Sequence, residues 1–219
     1  MKHLFTALLI LAATCPAQDE PPDIPAIEKR ANAGEAKAQL TLGLIYDEGV
    51  GVPQDRKKAA MWLEKAAAQG VPEAQFNIGT MYEFGVGVAK SEAKAAEWFE
   101  KAAVKGLADA QFNLANMYAS GRGVEKSSAK ALEWYEKAAT KGMIRAQFNL
   151  GLMHALGQGV PKDPVKAYAW FSVAAADGDP SAKQNLAFIE SKLSGKEKEK
   201  MKQAAKELAG KLEKRKKPE

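Results

Sequence analysis

Residues that could perform nucleophilic or metal chemistry are scarce in this sequence. Its 219 residues include one cysteine, Cys15, and two histidines, His3 and His154. A serine or cysteine nucleophile generally needs an imidazole or an equivalent base beside it, and zinc sites need clusters of His, Cys and carboxylate ligands. Because neither set can be assembled from these residues, we predict no catalytic residue, no bound metal and no cofactor.

Carboxylates are plentiful, and a pair of them is enough for glycoside hydrolysis. Three glutamates recur at intervals of 36 residues, each followed by a lysine: Glu64–Lys65, Glu100–Lys101 and Glu136–Lys137. Regular pairs of opposite charge are typical of a solvated helix face. This interpretation argues against a catalytic carboxylate pair. Because carboxylates are plentiful, a hydrolase that acts on cell-wall material is kept as the alternative function.

Glycine-rich stretches such as residues 85–88 could suggest a phosphate-binding loop. They lack the spacing and the preceding strand of a dinucleotide-binding motif. We interpret them as turns in which a left-handed glycine ends one helix. The residues that follow can cap the next helix with a side-chain oxygen, and they are Asp55, Ser91, Ser127 and Asp163.

The elements that carry these residues follow a 36-residue period. All four tryptophans share one register: Trp62, Trp98, Trp134 and Trp170. Within one period, Ala74, Ile78 and Met81 mark one helix face, and a second face follows at residues 95–103. Each period is therefore predicted to be a helical hairpin, whose first and second helices are called helix A and helix B.

Small residues inside the helices indicate close packing, since a mid-helix glycine costs about 1 kcal/mol relative to alanine. We use the word column for the residues that occupy the same position in successive repeats. One column in helix A contains Gly43, Gly79, Ala115 and Gly151. We expect it to lie opposite an alanine column in helix B that contains Ala59, Ala95, Ala131 and Ala167.

The stretch AQFNIGTMYEFGVGV at residues 74–88, followed by KAAEWFEKAA at residues 94–103, resembles the Sel1-like repeat. The resemblance covers residues 38–181. It implies an all-α, right-handed superhelical solenoid of antiparallel helix pairs, similar to tetratricopeptide repeats, with helix A on the concave side. Repeat four departs by placing His154 in the tyrosine column and Ser172–Val173 where the other repeats have Glu–Lys. We interpret His154 as a packed core residue.

The repeat register predicts the domain organisation of the whole chain. The segments are a signal peptide (1–17), a linker with an N-terminal capping helix (18–37), four repeats (38–73, 74–109, 110–145 and 146–181), C-terminal capping helices (182–212) and a basic tail (213–219). An apolar stripe that includes Met201, Leu208 and Leu212 is expected to let the last helix close the stack.

The resemblance to tetratricopeptide repeats also implies a peptide-binding groove lined by helix A. Three columns face it: Phe76, Phe112 and Phe148; Asn77, Asn113 and Asn149; and Thr80, Asn116 and Leu152. An asparagine amide both donates and accepts hydrogen bonds, so the asparagines could pair with an extended peptide while the phenylalanines bury its apolar side chains. The alternative is that the phenylalanines fill the core and the asparagines bond to the neighbouring helix.

Some Sel1-like proteins are rich in paired cysteines and are associated with binding or breaking β-lactams. This chain lacks such pairs, since Cys15 is its only cysteine. The favoured function is therefore a non-catalytic adaptor that binds a protein or peptide, and a β-lactam-acting hydrolase joins the cell-wall hydrolase as the alternative.

The first residues have the features of an export signal. Lys2 is followed by an apolar run, residues 4–13, and by small residues up to Ala17, after which we expect cleavage. The predicted location is periplasmic or extracellular. Lipid attachment at Cys15 is the alternative, although Thr14 stands where a lipoprotein signal usually has Gly or Ala.

The net charge of +5 comes from the C-terminal end. Residues 191–219 contain 11 Lys and Arg against 5 Asp and Glu, which leaves 21 against 22 for the rest. We therefore predict no nucleic-acid partner, and at most a weak contact of the tail with an anionic surface. A structural protein anchored at a membrane surface by this tail or by a lipid is the third function considered.

Overall fold

The computed structural model describes residues 22–216, and this part of the chain folds into eleven α-helices. They are α1 (Ile24–Asn32), α2 (Ala36–Glu48), α3 (Arg56–Ala68), α4 (Pro72–Phe84), α5 (Glu92–Val104), α6 (Ala108–Ser120), α7 (Ser128–Thr140), α8 (Ile144–Leu156), α9 (Pro164–Ala176), α10 (Pro180–Ser191) and α11 (Gly195–Lys216). Helix A of the four repeats is α2, α4, α6 and α8, and helix B is α3, α5, α7 and α9. Each helix from α1 to α9 packs against the next one, which gives the expected all-α solenoid.

The predicted ends of the helices are confirmed. Helix A ends at a left-handed glycine in each repeat, at Gly49, Gly85, Gly121 and Gly157, with φ between 71° and 76°. Helix B begins after a capping side chain, and Asp55 Oδ1 accepts from the amides of Lys57 and Lys58 at 3.1 and 3.0 Å. The turns therefore mark where each hairpin reverses.

The second glycine of each turn has a role that the sequence did not indicate. Gly87, Gly123 and Gly159 also have positive φ, and each lies against the first residue of helix B in the preceding repeat. A Cβ atom at Gly123 would lie 2.2 Å from the carbonyl oxygen of Glu92. Consecutive repeats thus touch backbone to backbone at this edge of the stack.

The predicted close packing of helix A on helix B is confirmed, but the opposing residue differs from the expectation. A Cβ atom at Gly79 would lie 2.9 Å from the ring of Phe99, and one at Gly151 would lie 2.5 Å from the ring of Phe171. The small column therefore accommodates large helix B side chains four residues beyond the alanine column. At Gly43 the Ala59 carbonyl oxygen is also near, at 3.3 Å.

Buried glutamines link the first three repeats to the helix that precedes each of them. The side-chain amides of Gln39, Gln75 and Gln111 donate to main-chain carbonyls of the preceding helix, at Ala31, Ala67 and Ala103, over 3.1, 3.0 and 3.0 Å. Gln147 donates instead to the carboxylate of Asp177, at 3.2 Å. These bonds help to set the spacing between repeats.

The first helix, α1, has the register of a helix B and a polar outer side. Asp23 and Arg30 stand in columns that internal repeats fill with buried alanines such as Ala59 and Ala66. Charged residues in those columns favour contact with water over contact with a further repeat. The segment predicted to be a signal peptide, which includes Cys15, and residues 217–219 of the tail lie outside the described residues.

The last helix, α11, lies along α9 instead of covering the open side of α10, so the expectation that it closes the stack needs correction. Its Leu208 and Leu212 join Trp170 and Val173 in one apolar cluster. This cluster lies on the side of α9 opposite Phe171, which packs against helix A. Repeat four offers α11 an uncharged surface here because Val173 replaces the lysine of the other repeats.

Beyond α9, helix α10 presents Gln184 in the column of the phenylalanines, and its Phe188 is 67% exposed. The last helix continues to Lys216, four residues into the segment assigned to the tail. Among the described helices, none combines the length and the apolarity needed to cross a bilayer.

Candidate functional site

The phenylalanine column packs between the two helices of each hairpin. The ring centroids of Phe76 and Phe99 are 5.7 Å apart, and those of Phe148 and Phe171 are 5.5 Å apart. Phe112 is only 8% exposed and lies 5.8 Å from the ring of Tyr135. Of the two interpretations of this column, its geometry favours the packing role, with the ring edges of Phe76 and Phe148 partly exposed.

The asparagine column is partly exposed in all three repeats, at Asn77, Asn113 and Asn149. Within residues 22–216, no hydrogen bond with good geometry involves the side chains of Asn77 or Asn113, although other amides of the same helices are bonded. Asn149 differs because its amide lies near the Tyr135 hydroxyl and acts to lower the pKa of that phenol. Two of the three amides are thus available to a partner.

The third column contains three different residues with three different environments. Thr80 donates its hydroxyl to the Phe76 carbonyl in its own helix, at 3.0 Å. Asn116 accepts from the hydroxyl of Tyr135, at 2.5 Å. Leu152 is partly buried against the apolar cluster around Phe171. No single chemistry is repeated along this column.

Tyr135 joins two of the predicted site residues in a polar cluster, defined here as Asn116, Tyr135 and Asn149. Burial raises the pKa of Tyr135, while the polar amide of Asn149 acts in the opposite direction. Sequence analysis missed this cluster, although a signal was present: Tyr135 stands in a column that elsewhere contains Leu63, Phe99 and Phe171.

A cavity of about 300 Å³ adjoins the polar cluster between repeats three and four. Asn149, Leu152 and Tyr135 form part of its wall, and Lys126 and Gln158 lie at its polar side. The cavity combines an apolar surface with hydrogen-bond donors and acceptors. These features suit a side chain with an apolar stem and a polar end.

His154 is 5% exposed, in agreement with its interpretation as a packed residue. Its Nδ1 atom is buried without a hydrogen-bond partner among the described residues. Burial, and secondarily the ammonium group of Lys166, lower the pKa of His154, and Asp163 opposes them. Within residues 22–216 there is no cluster of three or more His, Cys, Asp or Glu side chains suited to a metal ion.

Acid is expected to destabilise the protein through His154. An unfolded histidine has a pKa of about 6.5, so below that pH the unfolded chain binds more protons than the folded one, in which the pKa is lower. Stability should therefore fall as the pH falls below about 6.5, by at most about 1.4 kcal/mol per pH unit for this group. Urea unfolding at pH 7.5 and 5.5 measures the change.

The matched variant for this measurement is His154→Tyr, which restores the residue of the other repeats. The loss between pH 7.5 and 5.5 should be smaller in this variant, because carboxylates then supply the whole pH dependence. Equal losses in both proteins would show that His154 makes no contribution.

Comparison with protein families matches the Sel1 repeat to residues 36–71, 72–107, 108–143 and 144–179. Each match begins at the first residue of helix A, two residues before the boundaries predicted from the sequence. A comparison with curated proteins gives no significant match.

Two solved structures are similar in both sequence and fold. One is a protective antigen present in uropathogenic Escherichia coli strains, displaying an SLR fold, with 37% identity over 78% of this chain and a TM-score of 0.75. The alignment spans only 36% of that longer protein. The other is a Sel1 repeat protein from Oxalobacter formigenes, with 36% identity, a TM-score of 0.72, and coverage of 75% of this chain and 68% of that one.

An immunity protein from Pseudomonas aeruginosa matches 92% of this chain and 79% of its own at 20% identity, with a TM-score of 0.50, which is a likeness of fold alone. The Sel1 repeat matches show the family and not only the fold, because they cover consecutive hairpins from α2 to the turn after α9. The chain belongs to the Sel1 repeat family.

Proposed function

We propose that this chain is an exported adaptor that does not catalyse a reaction. It binds a segment of another protein along the surface formed by the A helices of successive repeats. The observation that carries the proposal is the partly exposed asparagine column, in which the side-chain amides of Asn77 and Asn113 make no hydrogen bond to other described residues. In a solenoid each repeat contacts the adjacent repeats, so equivalent residues of successive repeats form one continuous surface.

The proposed binding mode follows from the chemistry of the column. Each asparagine amide can donate to a carbonyl and accept from an amide of an extended peptide, one residue per repeat. The phenylalanines behind the column are held by Phe99 and Phe171, so they form a firm apolar support for the asparagines. A rigid surface loses little entropy when the guest binds.

The cavity between repeats three and four offers a place for one guest side chain. Leu152 can contact its apolar stem, while Lys126, Asn149 and Gln158 can bond to a carboxylate or an amide at its end. This subsite would give the groove a preferred register, because the residues at the position of Tyr135 in the other repeats, Leu63, Phe99 and Phe171, carry no hydroxyl group.

The location of the guest is inferred from residues 1–17, whose charged start, apolar run and small residues are typical of an export signal. A guest in the periplasm or outside the cell is therefore proposed. The lysines of α11 can add a weak attraction to an anionic surface, since this helix carries most of the excess positive charge.

Substituting Asn77, Asn113 and Asn149 by alanine is expected to weaken guest binding without loss of helix content. One hydrogen bond contributes about 1 kcal/mol net, so the triple variant should bind roughly 100-fold more weakly. The measurement is affinity capture from the envelope and secreted fractions of the native organism, followed by titration of the captured guest. Far-UV circular dichroism checks the fold.

The double variant Asn77→Ala/Asn113→Ala is the cleaner test, because Asn149 also lies beside the Tyr135 hydroxyl and influences its pKa. Gln203→Ala, which removes an exposed amide on α11, is the control and should bind as the wild type does. If the double variant and the control retain the same guest with the same affinity, the proposed groove is wrong.

A further inference from the structure

A tyrosine near the end of helix A is held by the preceding helix B in the first two repeats. The hydroxyl of Tyr46 donates to Glu28 at 3.0 Å, and that of Tyr82 donates to Glu64 at 2.5 Å. A lysine covers the ring from the following helix, with Lys94 Nζ 4.9 Å from the ring centroid of Tyr82. Each of these phenols therefore lies between a carboxylate and an ammonium group.

Repeat four has both partners of this arrangement but no phenol. Glu136 and Lys166 stand in the columns of Glu64 and Lys94, while His154 replaces the tyrosine. An imidazole is shorter than a phenol and has no hydroxyl. All three side chains line a cavity of about 540 Å³, and the buried Nδ1 of His154 has no partner among the described residues.

The other walls of this cavity combine apolar side chains with the charged side chains of Glu207 and Lys211, and they complete it as a pocket. Leu132, Val165 and Trp170 line it from helices α7 and α9, and Leu208 with Lys211 lines it from α11. The first three repeats have no helix equivalent to α11 within residues 22–216. A volume of this size lies within the range of about 300–1,000 Å³ that is usual for small-molecule pockets.

We propose that this cavity, defined here as the His154 pocket, binds a small aromatic alcohol of the phenol class. A hydroxyl both donates and accepts, so one ligand atom can satisfy the His154 imidazole and the Glu136 carboxylate together. The ring finds Trp170 as an aromatic neighbour and the Lys166 ammonium as a cation–π partner. The ligand thus supplies the phenol that the other repeats carry in their own sequence.

The His154 pocket is separate from the asparagine column, since it lies beneath α11 on the helix B side. The inference therefore does not depend on the proposed groove. A guest peptide and a phenol should bind independently, so failure of one proposal leaves the other standing.

The test is isothermal titration of 4-methylphenol into the full chain at pH 7.5, with toluene as the matched ligand that lacks the hydroxyl. We expect saturable binding of 4-methylphenol and at least tenfold weaker binding of toluene. His154→Tyr should fold, because tyrosine is the residue of the other three repeats, and should lose the binding. Glu136→Gln should weaken it about tenfold, while Glu100→Gln in the preceding repeat should leave it unchanged.

Three results would overturn the proposal: no saturable binding of 4-methylphenol to the wild type, toluene binding equal to that of 4-methylphenol, or undiminished binding by His154→Tyr. If His154→Tyr does not fold, the comparison of Glu136→Gln with Glu100→Gln decides, because both glutamates are exposed and neither substitution changes side-chain size. Equal affinity in those two variants contradicts the pocket.

Discussion

Replacing Gly123 by alanine is expected to lower the free energy of unfolding by about 2 to 5 kcal/mol, which combines about 1–2 kcal/mol for a left-handed L-residue with about 1–3 kcal/mol for overpacking. Gly123 has a φ of 67°, and its added Cβ would meet the Glu92 carbonyl oxygen at 2.2 Å and the carbonyl carbon at 2.3 Å. Backbone atoms cannot move aside as a side chain can. Urea denaturation followed by circular dichroism measures the loss.

Gly178→Ala is the matched control for this substitution. Gly178 also has a positive φ, 106°, but a Cβ there would have nothing within 4 Å. Only the conformational cost of about 1–2 kcal/mol should appear in that variant. A loss at Gly123 no greater than the loss at Gly178 would contradict the backbone contact between repeats.

Replacing Val173 by lysine is expected to detach α11 from the repeats. Val173 is 8% exposed and shares an apolar cluster with Leu208 and Leu212, so a lysine there would place a charged side chain where α11 packs against α9. Such burial costs several kcal/mol, more than the docking of one exposed helix can recover. Hydrogen exchange should show loss of protection throughout α11 and unchanged protection in α4 and α6.

The repeats themselves should tolerate this lysine because three of them already carry one in the same column. There it covers a tryptophan, as Lys101 Nζ does at 3.9 Å from the ring centroid of Trp98. Val104→Lys makes the same substitution at a valine that is 71% exposed, and α11 should remain protected in that control. Protection of α11 in the Val173→Lys variant would show that its attachment does not depend on this cluster.

Most of the fold could be predicted from the sequence because its period repeats local signals that act within a few residues. A capping oxygen such as that of Asp55 bonds to amides two and three residues later, and a left-handed glycine such as Gly49 ends its own helix. The docking of α11 could not be predicted in this way. An apolar stripe with Leu208 and Leu212 shows that a face is buried, but it does not say against which helix.

The site residues were predicted by column, and a column fixes only the direction of a side chain around its own helix. The phenylalanines and the asparagines differ by one residue, about 100° of rotation. Whether Phe112 meets a neighbour or a guest depends on how near helix B approaches, which Tyr135 and the small helix A column decide. The replacement of a tyrosine by His154 was visible in the sequence. The wall of the His154 pocket that α11 supplies was not, because it depends on where α11 docks.

The two edges of the stack differ in how firmly neighbouring repeats are joined. At the edge of the glycine turns, main-chain atoms of Gly123 and Glu92 are in direct contact. At the opposite edge the links are long side chains, with Gln69 donating to the Gly34 carbonyl at 2.9 Å and Lys105 donating to that of Gly70. We therefore expect the solenoid to bend about the glycine edge, where the spacing between repeats is fixed by main-chain contact. At the opposite edge the spacing can widen or narrow as the long side chains change conformation.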